Sequence, residues 1–345
     1  MLAGFRHLLF RGLLAWAVTA LGAAHPWDGP TRGPAPQRGR TVVFLASDSR
    51  NGGVTGVFRG FEGAAALLGW KVLFLDGGGT PGGQDDQWAR ALAQRPNGII
   101  LGGFDAEGCR ERLDQARKAR IPVVGWHAAP EPGPAPGLFL NIATSTREVA
   151  EQAVTAVARD AEAKKQGAGI VLFTDSRFAV ARAKTQAMAR AVGRNPRLRL
   201  LSVEDVPIAR AHDEIPALVA RLAARHGAAW THCLAINDVY FDHISFPLAQ
   251  AGRGDIAQVA AGDGSSLALA RIRSGLSRQI ATVAEPLRLQ GYQLADELNR
   301  ALAGAPPSGY RSRPLLVTPA LLKGAREGDV EADLGFEEGY ARLWK

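Results

Sequence analysis

Polar side chains stand directly after the apolar runs of this 345-residue chain, and their types suit the binding of a polar molecule. In the stretch LAINDVYFD, residues 234–242, an apolar run stops on Asn237 and Asp238. Comparable residues at the ends of other runs are Asp48, Ser49, Arg50, His127, Asp175, Ser176, Arg177, Glu204, Asp205, Asp263 and Glu285. Such groups can hydrogen-bond a ligand, although a single Asp at a strand end often caps the following helix instead. Ligand binding and helix capping can both account for members of this set.

These residues do not form a recognisable catalytic arrangement. The chain has no Gly-x-Ser-x-Gly turn, no paired-histidine zinc motif and no Walker lysine loop, and its seven histidines are dispersed. The loop DGGGTPGG, residues 76–83, lacks the Lys-Ser/Thr pair of a nucleotide site, which favours a flexible turn over a phosphate site. The sequence predicts no enzyme, cofactor or metal. Acid–base chemistry by the carboxylates of an exported enzyme is the alternative.

Short apolar runs alternate with segments of helical spacing from residue 41 onward. The runs are TVVFLAS, KVLFLD, GIILGG, IPVVGW and LFLNI, followed by GIVLFTD, LRLLSVED, THCLAIND, IAQVAAGD and RQIATVAEP. Continuous apolar strands that alternate with amphipathic helices indicate parallel sheets covered on both faces. The runs form two sets that divide near residues 142–146. We therefore predict an α/β protein with two doubly wound parallel-sheet lobes.

The strand ends define where function should lie. Ligands of open parallel sheets bind outside the carboxyl ends of the strands, so two lobes that face each other with these edges form a cleft. Asn237 is expected to face this cleft, and Asp238 to cap a helix over VYFDHISFPLAQAG, residues 239–252. Tyr240 and Phe241 are equally compatible with a cleft wall and with core packing.

The N-terminus has the pattern of an export signal. Arg6, His7 and Arg11 precede the apolar run LLAWAVTALG, which ends in the small residues Ala23 and Ala24. Residues 1–24 are predicted as a cleaved signal peptide rather than a transmembrane anchor, because the run is short for a bilayer. Residues 25–40, rich in Pro, Gly and Arg, are predicted as a disordered arm. The mature protein is expected in a bacterial periplasm.

The composition and charge of the chain indicate which kinds of partner to expect. Hydrophobic residues make up 46% of the chain and charged residues 21%, which is typical of a soluble globular protein. Removing Arg6 and Arg11 of the leader from the formal charge of +8 leaves +6. The basic residues are interleaved with acidic ones and form no cluster with stacking aromatics, so no nucleic-acid partner is expected. Cys109 and Cys233 fall in different predicted lobes and are expected to be free, buried thiols.

The order of the signal, the first lobe, IPVVGW, the second lobe, AIND, AGDG and IATVAEP resembles the type I periplasmic binding proteins, in particular their ribose-binding-like branch. The resemblance covers residues 41–320, and no helix-turn-helix precedes it as in the related repressors. It implies a monomer that closes by hinge bending on a small-molecule ligand and serves an inner-membrane ABC permease. It also implies three crossings between lobes, with a first lobe of 41–142 plus 285–312. The second lobe would then be 143–284 plus 313–345.

The resemblance implies binding roles for individual positions. Asn237 of AIND and Asp263 of AGDG match family positions that hydrogen-bond ligand hydroxyls, and Glu285 stands where ribose-type binders have Gln. Lys184 falls near a family arginine, with Arg182 as the neighbouring candidate. In the first lobe the loop after the first strand would contact ligand through Asp48, Arg50 and Asn51.

The chain departs from ribose-type proteins at GWHAAP, where they carry an Asp-Arg pair. Trp126 or His127 stands for the acid there, and Trp126 is expected either to stack on a sugar face or to lie in the core. His127 is expected either at the ligand or as a cap or solvent-facing residue. A sugar or polyol is the favoured ligand, while the carboxylates keep a cationic amine open and Lys184 or Arg182 an anion. A sensor histidine kinase is the alternative partner to the permease.

Overall fold

The computed structural model describes residues 27–325 and 329–345, which fold into two α/β lobes. The first lobe contains a six-stranded sheet in the order β2-β1-β3-β4-β6-β5. Its strands are β1 (Thr41–Ala46), β2 (Lys71–Asp76), β3 (Gly98–Gly102), β4 (Val123–Trp126), β5 (Gly133–Ala135) and β6 (Leu138–Ile142). The helices between these strands are α1 (Gly52–Leu68), α2 (Pro81–Ala93) and α3 (Arg110–Lys118).

The second lobe repeats this plan, with strand order β12-β11-β10-β9-β7-β8. Its strands are β7 (Ala168–Thr174), β8 (Leu198–Asp205), β9 (His232–Ala235), β10 (Ala257–Ala260), β11 (Gln279–Ala284) and β12 (Leu315–Val317). Its helices are α4 (Thr146–Ala163), α5 (Ala179–Gly193), α6 (Ala211–His226), α7 (Val239–Asp242), α8 (Ser245–Gln250), α9 (Ser266–Ser274) and α11 (Pro319–Gly324). In each sheet the strands pair in parallel except one edge strand, β5 or β12, which is antiparallel. The predicted fold class is confirmed, and all ten predicted runs contain a strand.

Two late elements return to the first lobe. Helix α10 (Leu287–Leu302) packs against α1, and helix α12 (Phe336–Leu343) packs against α10. Phe336, Tyr340 and Trp344 belong to the same apolar core as Phe44 and Phe61. The chain therefore crosses between lobes once more than expected. Residues 336–345 lie with the first lobe, whereas the sequence analysis assigned all of 313–345 to the second.

The described part of the N-terminal arm, residues 27–40, is packed rather than free. Trp27 lies edge-on to Tyr340, with ring centroids 5.0 Å apart. Asn299 of α10 accepts a hydrogen bond from the backbone N–H of Gln37 at 2.8 Å, and Arg300 donates to the carbonyl of Arg32 at 2.7 Å. These contacts contradict the expected disorder, because α10 and α12 offer the arm a partly apolar groove.

The predicted helix over residues 239–252 is broken into α7 and α8. Pro247 lies in the first turn of α8 and has no N–H, so it cannot continue a hydrogen-bond ladder from α7. Tyr240 and Phe241 are buried in the core of the second lobe, where the Tyr240 hydroxyl donates to the carbonyl of Val206 at 2.8 Å. Tyr240 and Phe241 are therefore core residues and do not form a wall of the cleft.

The predicted signal peptide, residues 1–24, lies outside the described residues. In the part of the chain that the structure describes, no helix combines the length and apolar character needed to cross a membrane. Both cysteines are free; Cys233 is buried in the second lobe and Cys109 is half-buried in the first.

Candidate functional site

A cavity lies between the two lobes, at the carboxyl ends of both sheets. The first lobe lines it with Ser47, Asp48, Asn51, Gly79, Gln84, Gly103, Trp126 and His127. The second lobe lines it with Arg177, Phe178, Val180, Ala181, Lys184, Ile208, Ala209, Ile236, Asn237 and Asp263. The space open to water molecules inside it is about 60 Å³. Since one water needs roughly 10–15 Å³, this closed form has room for a few waters or one small polar molecule.

Both lobes present the same Asp-Ser-Arg turn to the cavity, after β1 and after β7. In the first lobe the Arg50 guanidinium donates to both oxygens of Asp48, at 2.9 and 2.8 Å. In the second lobe Arg177 donates to Asp175 in the same way, at 2.8 and 2.6 Å. The serine of each turn donates to the aspartate at the end of the next strand, Asp76 or Asp205. The Asp48 carboxylate is thus already engaged within its own turn, and its charge is compensated.

Lys184 and Asp263 face each other across the second-lobe wall of the cavity. Their closest charged atoms, Nζ and Oδ1, are 4.0 Å apart, which is too long for a direct hydrogen bond. Both side chains are less than a tenth exposed. Burial raises the pKa of Asp263, and the positive charges of Lys184 and His127 act in the opposite direction. The ammonium of Lys184 and the carboxylate of Asp263 can therefore both form hydrogen bonds with a ligand in the cavity.

His127 joins the cavity to the crossing between the lobes. Its Nε2 lies 3.1 Å from Oε1 of Glu285, a distance that suits an ion pair when the imidazole is protonated, but the two atoms do not have hydrogen-bond geometry. The backbone of His127 has φ +52°, a left-handed conformation that is costly for a residue with a side chain and is often found at functional sites. The ring of Trp126 stacks on the imidazole at 4.1 Å, while its Nε1 donates to Gln290 at 2.7 Å. Trp126 is both core and cavity wall.

Glu285 lies behind His127 and does not line the cavity. Its oxygens accept from the Thr144 hydroxyl at 2.8 Å, the Thr144 N–H at 3.2 Å and the Gln290 amide at 2.7 Å. Burial alone would raise the pKa of Glu285, but the charge and contact of His127, together with Lys184 and Thr144, lower it to about 2. Glu285 therefore fixes the crossing and orients His127 instead of facing a ligand directly.

Asn237 and Asp238 divide two tasks at the end of β9. Asn237 lines the cavity, and its side-chain oxygen accepts from the N–H of Val239 at 3.2 Å. Asp238 was predicted to cap the helix, and this prediction is wrong, because its side chain makes no capping hydrogen bond to α7. Its carboxylate accepts from the N–H of Gly264 at 2.8 Å and from the Gln279 amide at 2.6 Å, so it holds the loop that carries Asp263. Burial and the Asp263 charge raise the pKa of Asp238 to about 6.

Most of the site residues predicted from the sequence meet at this cavity, and three do not. Those that line it are Asp48, Asn51, Trp126, His127, Lys184, Asn237 and Asp263. Arg50 has 65% of its side chain exposed and acts as the clamp of Asp48. Arg182 is exposed and donates to the carbonyl of Ser176 at 2.7 Å, because it lies on a different face of α5 from Lys184. Glu285 is set back as described above.

Several residues that line the cavity were not predicted from the sequence. Phe178, Ile208 and Ala209 give the second-lobe wall an apolar part, and Gln84 adds an amide from α2. The repeated Asp-Ser-Arg turn could have indicated that Arg177 occupies the same kind of position as Arg50. Across residues 27–325 and 329–345, no group of three or more His, Cys, Asp or Glu side chains could hold a metal ion.

The fold and the site define a two-lobed α/β protein with a ligand cavity between its lobes. A family model described as a periplasmic binding protein domain matches residues 42–306, most of the chain. The chain therefore belongs to the periplasmic binding protein family. It matches no curated protein in sequence.

Solved structures share the fold at low sequence identity. A sugar ABC transporter from Yersinia enterocolitica has a TM-score of 0.73, with 18% identity over 91% of this chain and 99% of that chain. An ABC transporter solute-binding protein from Agrobacterium vitis with bound allitol has a TM-score of 0.70, with 17% identity over 83% of this chain and 97% of that chain. A second A. vitis solute-binding protein, bound with α-D-tagatopyranose, has a TM-score of 0.72, with 17% identity over 82% and 96%. The identities are low, so the likeness is one of fold.

Proposed function

We propose that this protein is a solute-binding protein that captures a small, uncharged polar molecule, a sugar or a polyol, for an ABC importer. The observation that carries the proposal is the cavity between the lobes, whose hydrogen-bonding groups come from both of them. Cavity contacts from two lobes exist together only in the closed form, so a ligand that makes them stabilises closure. The protein binds its ligand and performs no chemistry on it.

The charges around the cavity favour an uncharged ligand. Asp48 is paired with Arg50, Arg177 with Asp175, and His127 with Glu285. Lys184 and Asp263 balance each other without completing a hydrogen bond. A charged amine or carboxylate would have to disrupt one of these pairs in a desolvated site, which is costly. A neutral ligand avoids this cost.

A hydroxyl group fits the gap between Lys184 and Asp263. A hydroxyl donates one hydrogen bond and accepts others, so a single group can donate to the carboxylate and accept from the ammonium. The Asn237 amide offers a further donor for a neighbouring hydroxyl. Sugars and polyols carry adjacent hydroxyl groups, and allitol and tagatopyranose, which two of the structurally similar proteins bind, belong to this class.

Family membership and the N-terminal pattern support the remaining parts of the proposal. The importer is the partner that family membership suggests, and residues 1–24 would deliver the mature protein to the periplasm. Export is tested by the mass of the mature protein recovered from a periplasmic fraction, which should begin near His25.

A thermal-shift screen of sugars, polyols, amines and carboxylates tests the ligand class. A ligand at about a hundred times its dissociation constant adds roughly 2.7 kcal/mol to the free energy of unfolding. We expect sugars or polyols to raise the melting temperature and to be recovered unchanged. Stabilisation by amines or carboxylates alone would contradict the ligand class, and conversion of the ligand would contradict the absence of chemistry.

A further inference from the structure

We propose that Asp105 of the first lobe is a closure latch, which stabilises the closed form by capping helix α5 of the second lobe. The inference rests on the proposed function, because it names a residue that sets how tightly a bound ligand is held. Asp105 does not line the cavity. It would therefore act on the equilibrium between open and closed forms, as a positioning residue rather than a ligand contact.

The latch contact joins the two lobes directly. Asp105 follows β3 of the first lobe, and its Oδ2 accepts a hydrogen bond from the N–H of Ala179 at 2.8 Å. Ala179 is the first residue of α5 in the second lobe. The other oxygen of Asp105 accepts from the N–H of Glu107 at 3.0 Å, which fixes the carboxylate in the orientation that reaches α5. Hinge opening would separate Asp105 from Ala179.

The N-cap residue of helix α5 makes no side-chain capping hydrogen bond, in contrast to the matching residue of the first lobe. In the first lobe the residue after Asp-Ser-Arg is Asn51, whose side chain accepts from the N–H of Gly53 and caps α1. In the second lobe the same place is taken by Phe178, whose side chain cannot accept a hydrogen bond. The first N–H groups of a helix lack partners within the helix and carry partial positive charge. The carboxylate of Asp105 satisfies one of these groups only when the lobes are closed.

The size of the effect follows from the known cost of losing a helix cap. Replacing a capping Asp by Ala shifts an equilibrium that depends on the cap by about 2- to 30-fold. If the free protein is mainly open, the apparent dissociation constant rises by the same factor as the open-to-closed ratio. Asp105→Ala is therefore expected to weaken ligand binding about 2- to 30-fold, mostly through faster dissociation.

Calorimetry and stopped-flow dissociation with a sugar or polyol found in the screen test this expectation. Asp85→Ala is the matched control, because it removes the same charge nearby, and within the described residues the ion pair of Asp85 is with Arg112 of its own lobe. That control should leave the dissociation constant unchanged, and Asp105→Asn should fall between wild type and Asp105→Ala. A lowered melting temperature of ligand-free Asp105→Ala with an unchanged dissociation constant would mean a purely structural role and would overturn the latch.

A second measurement needs no ligand and separates the latch from the ligand assignment. The side chains of Arg59 in the first lobe and Ser266 in the second are both exposed and lie close together, with 3.4 Å between Nη2 and Oγ. In Arg59→Cys/Ser266→Cys protein that also carries Cys109→Ser, the rate of cross-linking by a short bis-maleimide reports the closed fraction, however small. Adding Asp105→Ala should slow it about 2- to 30-fold.

The two measurements fail in different ways. If no sugar or polyol binds but Asp105→Ala still slows cross-linking, the ligand class is wrong and the latch stands. If cross-linking is as fast with Asp105→Ala as without it, the latch is wrong whatever the ligand. Adding Asp85→Ala to the same cysteine variant should leave the cross-linking rate unchanged.

Discussion

Among single residues, Lys184 and Asp263 are an oppositely charged pair in the cavity with unused hydrogen-bonding capacity. Their charges attract, but 4.0 Å between Nζ and Oδ1 leaves room for a bridging group. Other charged groups at the site are engaged by neighbours: Asp48 by Arg50 and Asp238 by the loop at Gly264. The ligand is therefore expected to gain its strongest contacts from Lys184 and Asp263.

Asp263→Ala should weaken binding by about 1.5–3 kcal/mol or more, because it removes the acceptor of a charge-assisted hydrogen bond and leaves Lys184 buried without its counter-charge. Isothermal calorimetry of the variant with the ligand from the screen measures this loss. Arg182→Ala, on the helix α5 that carries Lys184, is the control, and it should bind as wild type does. Equal affinity of the Asp263 variant and wild type would remove Asp263 from the site.

The choice between Lys184 and Arg182 could have been made from helix periodicity alone. Ala181, Lys184 and Met188 follow the spacing of one helix face, and the structure buries all three. Arg182 is one residue off this face and points to solvent. The role of Glu285 could not have been found in this way, since its partners Thr144 and His127 are more than a hundred residues away in sequence.

At the scale of elements, helix α10 is unusual because polar residues are buried along most of its length. They are Gln290, Gln293, Asp296, Glu297, Asn299 and Arg300. Residues 308–312 supply partners for Gln290, Gln293 and Glu297, and the N-terminal arm supplies partners for Asn299 and Arg300. The C-terminal segment supplies Trp344 as a partner for Asp296 and also caps the helix. Glu331 accepts from the N–H of Arg288 at 3.2 Å and of Leu289 at 2.9 Å, at the first turn of α10. The C-terminal segment is thus part of how the first lobe is held together.

Glu331 should make stability depend on pH. Burial, with the nearby charge of Asp329, raises its pKa from 4.5 to about 7, against the backbone donors and Arg288. A raised pKa in the folded state means that this contribution to stability is complete below about pH 4.5 and is lost as the pH rises through 7. In Glu331→Gln the fall in the free energy of unfolding between pH 4.5 and 8 should be smaller, by roughly 3 kcal/mol at most. Urea unfolding across this range measures it.

The exposed Glu338 of the same segment provides a matched control. Glu338→Gln changes the charge by the same amount at a solvent-facing position and should keep the wild-type pH profile. Identical profiles for Glu331→Gln and wild type would show that Glu331 does not titrate with the raised pKa. Burial also raises the pKa of Glu297 to about 7, so its contribution to stability changes with pH in the same direction. Glu297 is present in both variants.

For the whole molecule, the N-terminal arm, residues 27–40, and the C-terminal segment pack together on the first lobe. Trp27 packs between Tyr340 of α12 and Tyr310 of the crossing segment, with ring centroids 5.0 and 5.5 Å apart. A Cβ on Gly339 would lie 2.7 Å from the Trp27 ring, so the close approach of the arm requires glycine there. The N-terminal arm and the C-terminal segment stabilise the first lobe without lining the cavity.

Trp27→Ala should lower the free energy of unfolding by about 1–2 kcal/mol, because a half-buried aromatic ring loses its contacts. Its ligand affinity should stay as in wild type. Chemical denaturation and calorimetry together test both parts, with the exposed Thr31→Ala as the control. Loss of affinity in Trp27→Ala would show that the arm is coupled to closure after all.

The amino-acid sequence by itself determined the two sets of alternating strands and helices and the edge at which the site forms. These follow from local periodicity and from the chirality of parallel sheets, which need no knowledge of distant partners. It also placed Asn237 and Asp263 at that edge, since each follows the end of a strand, whereas Lys184 was placed there only by the family resemblance, with Arg182 as the alternative.

Only the tertiary structure decided which of the polar groups at this edge remain free. Glu285 is taken up by Thr144, and Asp238 by Gly264 and Gln279. Asp105 is engaged by α5 of the opposite lobe. The physical reason is that a carboxylate is satisfied by whichever donor lies closest in space, and long-range packing of the lobes brings that donor into place. The packing of the N-terminal arm and the C-terminal segment on α10 has the same origin, because the groove they fill exists only once α1, α10 and α12 have assembled.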